Sequence, residues 1–429
     1  MKSSAVKFID TALRKTNRIK CFGNSMAPIL LHEDVVYYRK ILFSHININD
    51  IVIAKDKSNY ITHRVIFKGK NYIITKGDNN FKIDPLIYSK NIIGRVYQVK
   101  RNDQFIHPDT MYLLQSTQYF EAINDCISEL NKHNIPYVLL KGLILHLYYS
   151  KTHPRRQYTD FDILVKLNDY QVIDQILTHL GYTIKDDSIS SLQKRMLDKS
   201  IEVTYVKKSA SFFPIAIDVH FEPVFMMTQI GTLDALYEQK NIDELGDLFL
   251  NNQQVVTLHN SPYQILSPVH LVVYLALHFF HHNYRGIHRL DLLNAVIKNI
   301  SRHKKRAVWK EAADLILKYQ LENYAYGSYV ILQKYFKTPI PKTFLKEIAP
   351  SKKIIRYINQ HFKKNDVFET EPRSAEGTQL FQNLFYLSPK PLMTRLLVFL
   401  KPIVIYMIVW AIYSKMRRRF LIFYRRYRS

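Results

Sequence analysis

Residues 158–165 read YTDFDILV, and this stretch sets Asp160 and Asp162 two positions apart at the head of an apolar run. Phe161, Ile163, Leu164 and Val165 make it a strand candidate, and on a strand residues i and i+2 share one face. Two carboxylates side by side repel unless a cation lies between them. Oxygen ligands suit Mg²⁺, which keeps substrate phosphates among its other ligands. A third carboxylate on a neighbouring strand completes a two-metal site, and IAIDVHF at residues 215–221 offers Asp218 on such a strand. By itself an Asp-x-Asp pair reads as a solvated strand end, so its surroundings decide.

Upstream, IPYVLLKGLILHLYY at residues 135–149 reads as strand, tight turn and helix. Its Lys141-Gly142 turn puts backbone N–H groups and a helix N-terminus where phosphates bind. Together these pieces resemble the nucleotidyltransferase superfamily related to DNA polymerase β. More narrowly they resemble a poorly characterised bacterial family with an LLKG…R…DiDLLV…vDlH pattern, over about residues 115–300. The resemblance implies that Asp160 and Asp162 hold Mg²⁺ and that an NTP is the substrate. It makes Asp218 the third ligand or the base for an acceptor hydroxyl, with His220 supporting Asp218. Lys141 and Gly142 stand where the superfamily usually has Gly-Ser, so a lysine charge replaces the serine contact to phosphate. Arg155 and Arg156 read either as triphosphate ligands or as a solvated loop.

Working toward the N-terminus, residues 20 to about 100 are rich in Ile, Val, Tyr and Thr with Gly and Asn turns, and read as a small all-β module. Within it lie GNSMAPIL (23–30), THRV (62–65) and TKGDNNFKIDP (75–85). Serine is a weak nucleophile unless a base removes its proton. Ser25, His63 and one of Asp78 or Asp84 could supply nucleophile, base and orienting acid. In this order the three motifs resemble the signal peptidase I superfamily, in its archaeal and endoplasmic-reticulum type, which uses histidine as base. The resemblance implies Ser25 as nucleophile, His63 as general base, Asp84 as acid and Asp78 as a supporting turn residue.

The expected fold is multidomain. A peptidase-like all-β module (1–104) precedes an α/β mixed-sheet nucleotidyltransferase core (105–245). Its helical region (246–365) and a linker with a basic apolar tail (366–429) follow. Within the helical region, HLVVYLALHFFHHNYRGIHRLDLL carries His270, His278, His282, His288 and Asp291. These histidines drift around a helix and read as packing or cleft residues rather than a zinc site. NDVFETEPRSAEGTQ (365–379) reads as a loop.

The formal charge of +25 favours anionic partners, namely nucleotides, an acidic membrane surface or nucleic acid, the last not favoured. Cys21 and Cys126 have no metal or disulfide spacing and fit a reducing cytoplasm. MKSSAVKFIDTALRKTNRIK lacks a signal-peptide core and reads as an amphipathic helix. LLVFLKPIVIYMIVWAIY (396–413), broken by Lys401 and Pro402, runs into KMRRRF and YRRYR. That tail reads as contact with the inner face of an anionic membrane, as a buried pair of helices, or as a span. The sequence thus predicts a bifunctional enzyme acting on a nucleotide and on a peptide or protein, plausibly in maturation of a ribosomal peptide. The alternative is a non-catalytic protein that binds peptide and nucleotide or RNA.

Overall fold

The computed structural model describes residues 17–56, 59–150, 158, 160–185, 202–208, 214–223, 233–303, 306–370, 373–402, 404–406, 408–409, 412–413 and 416. The helix expected before residue 17, as well as Arg155 and Arg156, lie outside the described residues.

The N-terminal module is an antiparallel sheet. Its strands are β1 (Arg18–Lys20), β2 (Val35–Arg39), β3 (Ile51–Asp56), β4 (Asn59–Lys68), β5 (Tyr72–Lys76), β6 (Ile87–Tyr88), β7 (Ile92–Arg101) and β8 (Gln104–Ile106). They pair in the order β1-β2-β7-β3-β4-β5-β6, with β8 added to β7. The run Ile51-Val52-Ile53-Ala54 is apolar without alternation because both faces of β3 are covered. Ile51 and Ile53 pack with Ile29, Leu30 and Val36, whereas Val52 and Ala54 pack with Val65, Ile73 and Ile87.

The larger sheet comprises β9 (Tyr137–Leu139), β10 (Phe161–Val165), β11 (Thr183–Ile184), β12 (Glu202–Lys207), β13 (Ile215–His220), β14 (Gln253–Leu258) and β15 (Ser261–Leu266). Their order is β11-β12-β13-β10-β9-β15-β14. β10 runs parallel to β13 and β9 parallel to β15, the other pairs being antiparallel, so the sheet is mixed as expected. All five residues of β10 are buried, which is why its sequence is apolar apart from Asp162.

Helix Pro268–His281 runs through the centre of the helical region. Ser267 caps it and Pro268 opens it, both favourable at a helix start. Ten of its residues are buried, so it is apolar around its whole circumference. Helix Glu322–Phe336 is joined to it by the Tyr329 hydroxyl on the Val272 carbonyl (2.8 Å) and the Ser328 hydroxyl on that of Ala276 (2.6 Å).

The two units are packed together. Phe67 of β4 lies 5.9 Å from Tyr335 and 5.1 Å from Phe368, centroid to centroid, and the Thr370 N–H donates to the Phe81 carbonyl at 2.9 Å. Of the expected loop at 365–379, residues 365–370 carry no helix or strand, as expected, and the part from Arg373 is helical instead. Val367 and Phe368 are buried, and a helix spans Arg373–Leu387. Glu376 in that helix accepts from His282 at 2.6 Å, a long-range contact that overrides the local Pro and Gly signals. Both cysteines are free. Among the described residues no helix is long and apolar enough to cross a membrane.

Candidate active sites

The acidic cluster sits where β10 and β13 run side by side. Their parallel register sets Asp162 directly opposite Asp218. Ligand atoms of Asp162, Asp218 and His220 all lie within 4.8 Å of one another, the one such group among the described residues. Asp160, just before β10, lies beside them and is half-buried. On the far side of β13, β12 brings Thr204 opposite Asp218 and Glu202 opposite His220. The Thr204 hydroxyl donates to Asp218 Oδ1 at 2.7 Å.

Lys141 was expected to face phosphate. In the structure its ammonium turns into the cluster, 2.6 Å from Asp162 Oδ2 and 3.6 Å from Asp160 Oδ1. Buried carboxylates need a counter-charge, and the lysine supplies it. Gly142 takes φ +102°, a turn geometry that favours glycine. His220 departs from expectation too: its Nε2 lies 3.0 Å from Asp162 Oδ1, because the ring reaches across to β10 instead of along its own strand to Asp218.

The charges divide unevenly. Burial pushes the Asp218 carboxyl up to about 7, aided by the charges of Asp162, Asp160 and Glu202. Burial would also raise Asp162, but the Lys141 charge and the His220 hydrogen bond outweigh it and hold that carboxyl well below the usual range. Burial pulls Lys141 down, and Asp160 with Asp162 more than reverses this. His220 ends above its ordinary value: the Asp162 bond and the Glu202 charge overcome its desolvation. The donor set is oxygen-rich and anionic, and Lys141 offsets only part of its negative charge. It therefore fits a hard divalent ion such as Mg²⁺.

In the β module, Ser25 Oγ and His63 Nε2 are 2.8 Å apart, and His63 Nδ1 is 2.6 Å from Asp84 Oδ2. A carboxylate only accepts, so Nδ1 carries the proton and Nε2 is left to accept from Ser25. The Thr75 hydroxyl donates to the same Asp84 oxygen at 2.7 Å. Met26, Ile29 and Leu30 are buried and anchor the turn that presents Ser25. Gly77 lies beneath it: a Cβ there would sit 2.6 Å from the Ser25 carbonyl oxygen. Asp78 is gripped by Arg64 through Nε (2.6 Å) and Nη2 (2.5 Å), a two-pronged ion pair. It ties the strand of His63 to the loop under Ser25.

The histidine-bearing helix forms no metal-capable group among the described residues. His278 and His282 meet edge to face, 4.8 Å between centroids. Burial, reinforced by the Lys141 and Arg289 charges, holds His278 well below its ordinary value; burial and Arg289 do so for His282. His270, beside Phe249, is pushed down to about 4 by burial.

Sequence reasoning missed Thr75, Arg64, Glu202 and Thr204. Alternation on β5 and β12 was the available signal: Thr75 lies opposite Val65, two residues beyond His63, and Glu202 and Thr204 share a strand face.

No curated protein matches the chain. Three solved structures show low similarity. A crystal structure of ANT(2″)-Ia in complex with adenylyl-2″-tobramycin is 9% identical, with 47% of this chain and 99% of that chain covered and a TM-score of 0.30. A solution structure of the antibiotic-resistance factor ANT(2″)-Ia is 10% identical, covering 48% and 95%, TM-score 0.30. An antigenic nucleotidyltransferase-like protein from Paracoccidioides brasiliensis is 11% identical, covering 55% and 95%, TM-score 0.30. The sequence model of the family described as "Uncharacterised nucleotidyltransferase" matches residues 110–337. That is just over half of the 429 residues, and the chain belongs to this family of uncharacterised nucleotidyltransferases.

Proposed function

We propose that the chain transfers a nucleoside monophosphate from an NTP to an acceptor hydroxyl, in a reaction that depends on Mg²⁺. The observation that carries this reading is the register that sets Asp162 opposite Asp218 on parallel strands. Asp160, Asp162 and Asp218 would hold the ion, which supplies charge stabilisation for the phosphates when bound. Asp218, beside Asp162 on the neighbouring strand, is the candidate to take the acceptor proton if it serves as base in place of ligand. The backbone of the Gly142 turn is assigned to the nucleotide phosphates, with Arg155 and Arg156 for the same task, while Lys141 balances the charge of Asp160 and Asp162. Pyrophosphate release from each NTP with candidate acceptors tests the proposal. Asp162→Ala reduces it to background, and a wild-type chain that releases none with any of them sinks it.

The β module favours a second activity on the same chain, a serine endopeptidase. The support is the hydrogen-bond chain from Ser25 through His63 to Asp84 and Thr75. In this scheme His63 takes the Ser25 proton as Oγ attacks a peptide carbonyl. Residues 1–104 would cut a leader and residues 105–365 would modify or activate the released peptide, in the cytoplasm. A fluorophosphonate probe that labels Ser25 in the wild type but at least about a hundredfold more slowly in His63→Ala agrees with a general base. Equal labelling of both leaves only a peptide-binding module.

A further inference from the structure

The surface near the C-terminus is unlike the rest. Of twenty-six large apolar side chains exposed among the described residues, eleven lie in residues 392–416. Scattered exposed apolar residues need no explanation, but a contiguous patch marks an interaction surface. Met393 is 76% exposed and Leu400 72%. Beyond Pro402 the described positions are 404–406, 408–409, 412–413 and 416, all helical. There Ile405, Ile408, Val409, Ile412, Tyr413 and Met416 are all exposed. The opposite side is fastened down. Val398 and Val404 are buried, Phe399 packs on Phe381 and Phe385, and Arg395 donates to the Phe385 carbonyl at 2.7 Å. The patch is therefore presented by the protein and does not collapse onto it.

The charge around the patch chooses its occupant. After Glu376 the sequence contains no Asp or Glu, while Lys390, Arg395, Lys401 and the run Arg417-Arg418-Arg419 are among its basic residues. A second copy would bring the same excess of positive charge to the interface, and like charges disfavour that pairing. Nucleic acid would suit the cations but leaves the apolar face wet. An anionic bilayer satisfies both, with the apolar face in the headgroup boundary and the cations on the phosphates. Among the described residues no helix is long and apolar enough to cross a membrane.

We propose that the apolar face of residues 392–416 docks the protein on the surface of an anionic lipid bilayer. This assignment is independent of both catalytic readings. Flotation of the full chain with phosphatidylglycerol–phosphatidylcholine vesicles, against pure phosphatidylcholine, tests it. The wild type floats with the anionic vesicles. The double variant Leu400→Glu, Val409→Glu stays behind, with unchanged circular dichroism and pyrophosphate release. Replacing Arg417, Arg418 and Arg419 by Gln lowers binding to anionic vesicles by about a hundredfold. A wild type that stays in solution overturns the proposal, as does a double-Glu variant that floats undiminished. A wild type that sediments as a dimer, does not float and becomes monomeric with the two glutamates assigns the face to a second copy instead.

Discussion

The two sites of this chain are built on opposite principles. In the β module every donor meets an acceptor: serine to histidine, histidine to aspartate, threonine to the same aspartate. That arrangement is complete with protein groups alone. In the larger sheet acceptors outnumber donors. Asp160, Asp162, Asp218 and Glu202 crowd around one lysine and one histidine, and Asp218 keeps a proton up to about pH 7 in consequence. The first site is satisfied by its own groups, and the second is left short of positive charge.

The sharpest way to break this contrast is to titrate the acidic cluster. In the folded chain Asp218 releases its proton near 7, in the unfolded chain near 4. Between those values the folded state binds more protons, so stability of the metal-free protein falls as pH rises from about 4 to about 7. Each unit of difference is worth about 1.4 kcal/mol, so between pH 5 and pH 8 the effect is on the order of 3 kcal/mol. Denaturant unfolding at pH 5 and pH 8 should show this loss in the wild type and not in Asp218→Asn. Parallel slopes in the two proteins would mean the cluster is electrostatically balanced after all.

Part of this asymmetry was legible in the sequence. An Asp-x-Asp pair leading an apolar run announces strand β10, because a strand buried on both faces is apolar nearly throughout. The triad motifs were readable for a similar reason: Gly, Asn and Pro around Ser25 and Asp84 fix turns through local backbone preference. The partner of Asp162 is another matter. Its parallel register with Asp218 arises from packing between segments more than fifty residues apart, and no local pattern encodes it. Lys141 reads as a phosphate ligand in its turn, yet its direction is set by carboxylates on a different strand. The helix at residues 373–387 follows a Pro and contains a Gly, and it is held by Glu376 on His282 and by Asn383 on Asn283, contacts invisible along the chain.

Lys141 offers the next test. Lys141 occupies the place beside Asp160 and Asp162 that a dication would take, so metal must displace it, and removing it should sharpen the contrast between the sites. Lys141→Ala should be less stable than the wild type without metal, since Asp162 loses its 2.6 Å partner. It should also bind Mn²⁺ about tenfold more tightly and gain more in melting temperature on adding it. Isothermal titration with wild type, Lys141→Ala and Lys141→Arg measures this. Weaker binding by the alanine variant would make the lysine a helper of the metal and not its substitute.

The smallest expected effect lies at Thr75. Valine keeps the shape of threonine and removes only the hydroxyl that donates to Asp84 Oδ2. His63 still donates to that oxygen, and the Asp84 side chain is 14% exposed, so water can replace the lost donor. A hydrogen bond of this kind contributes about 1 kcal/mol, which corresponds to a drop of roughly fivefold in the rate of Ser25 labelling. Thr75→Ser, which restores the donor, should recover the rate. If valine lowered labelling as far as His63→Ala does, the aspartate would depend on Thr75 for its position. The β-module site would then be as reliant on a single neighbour as the acidic cluster is on Lys141.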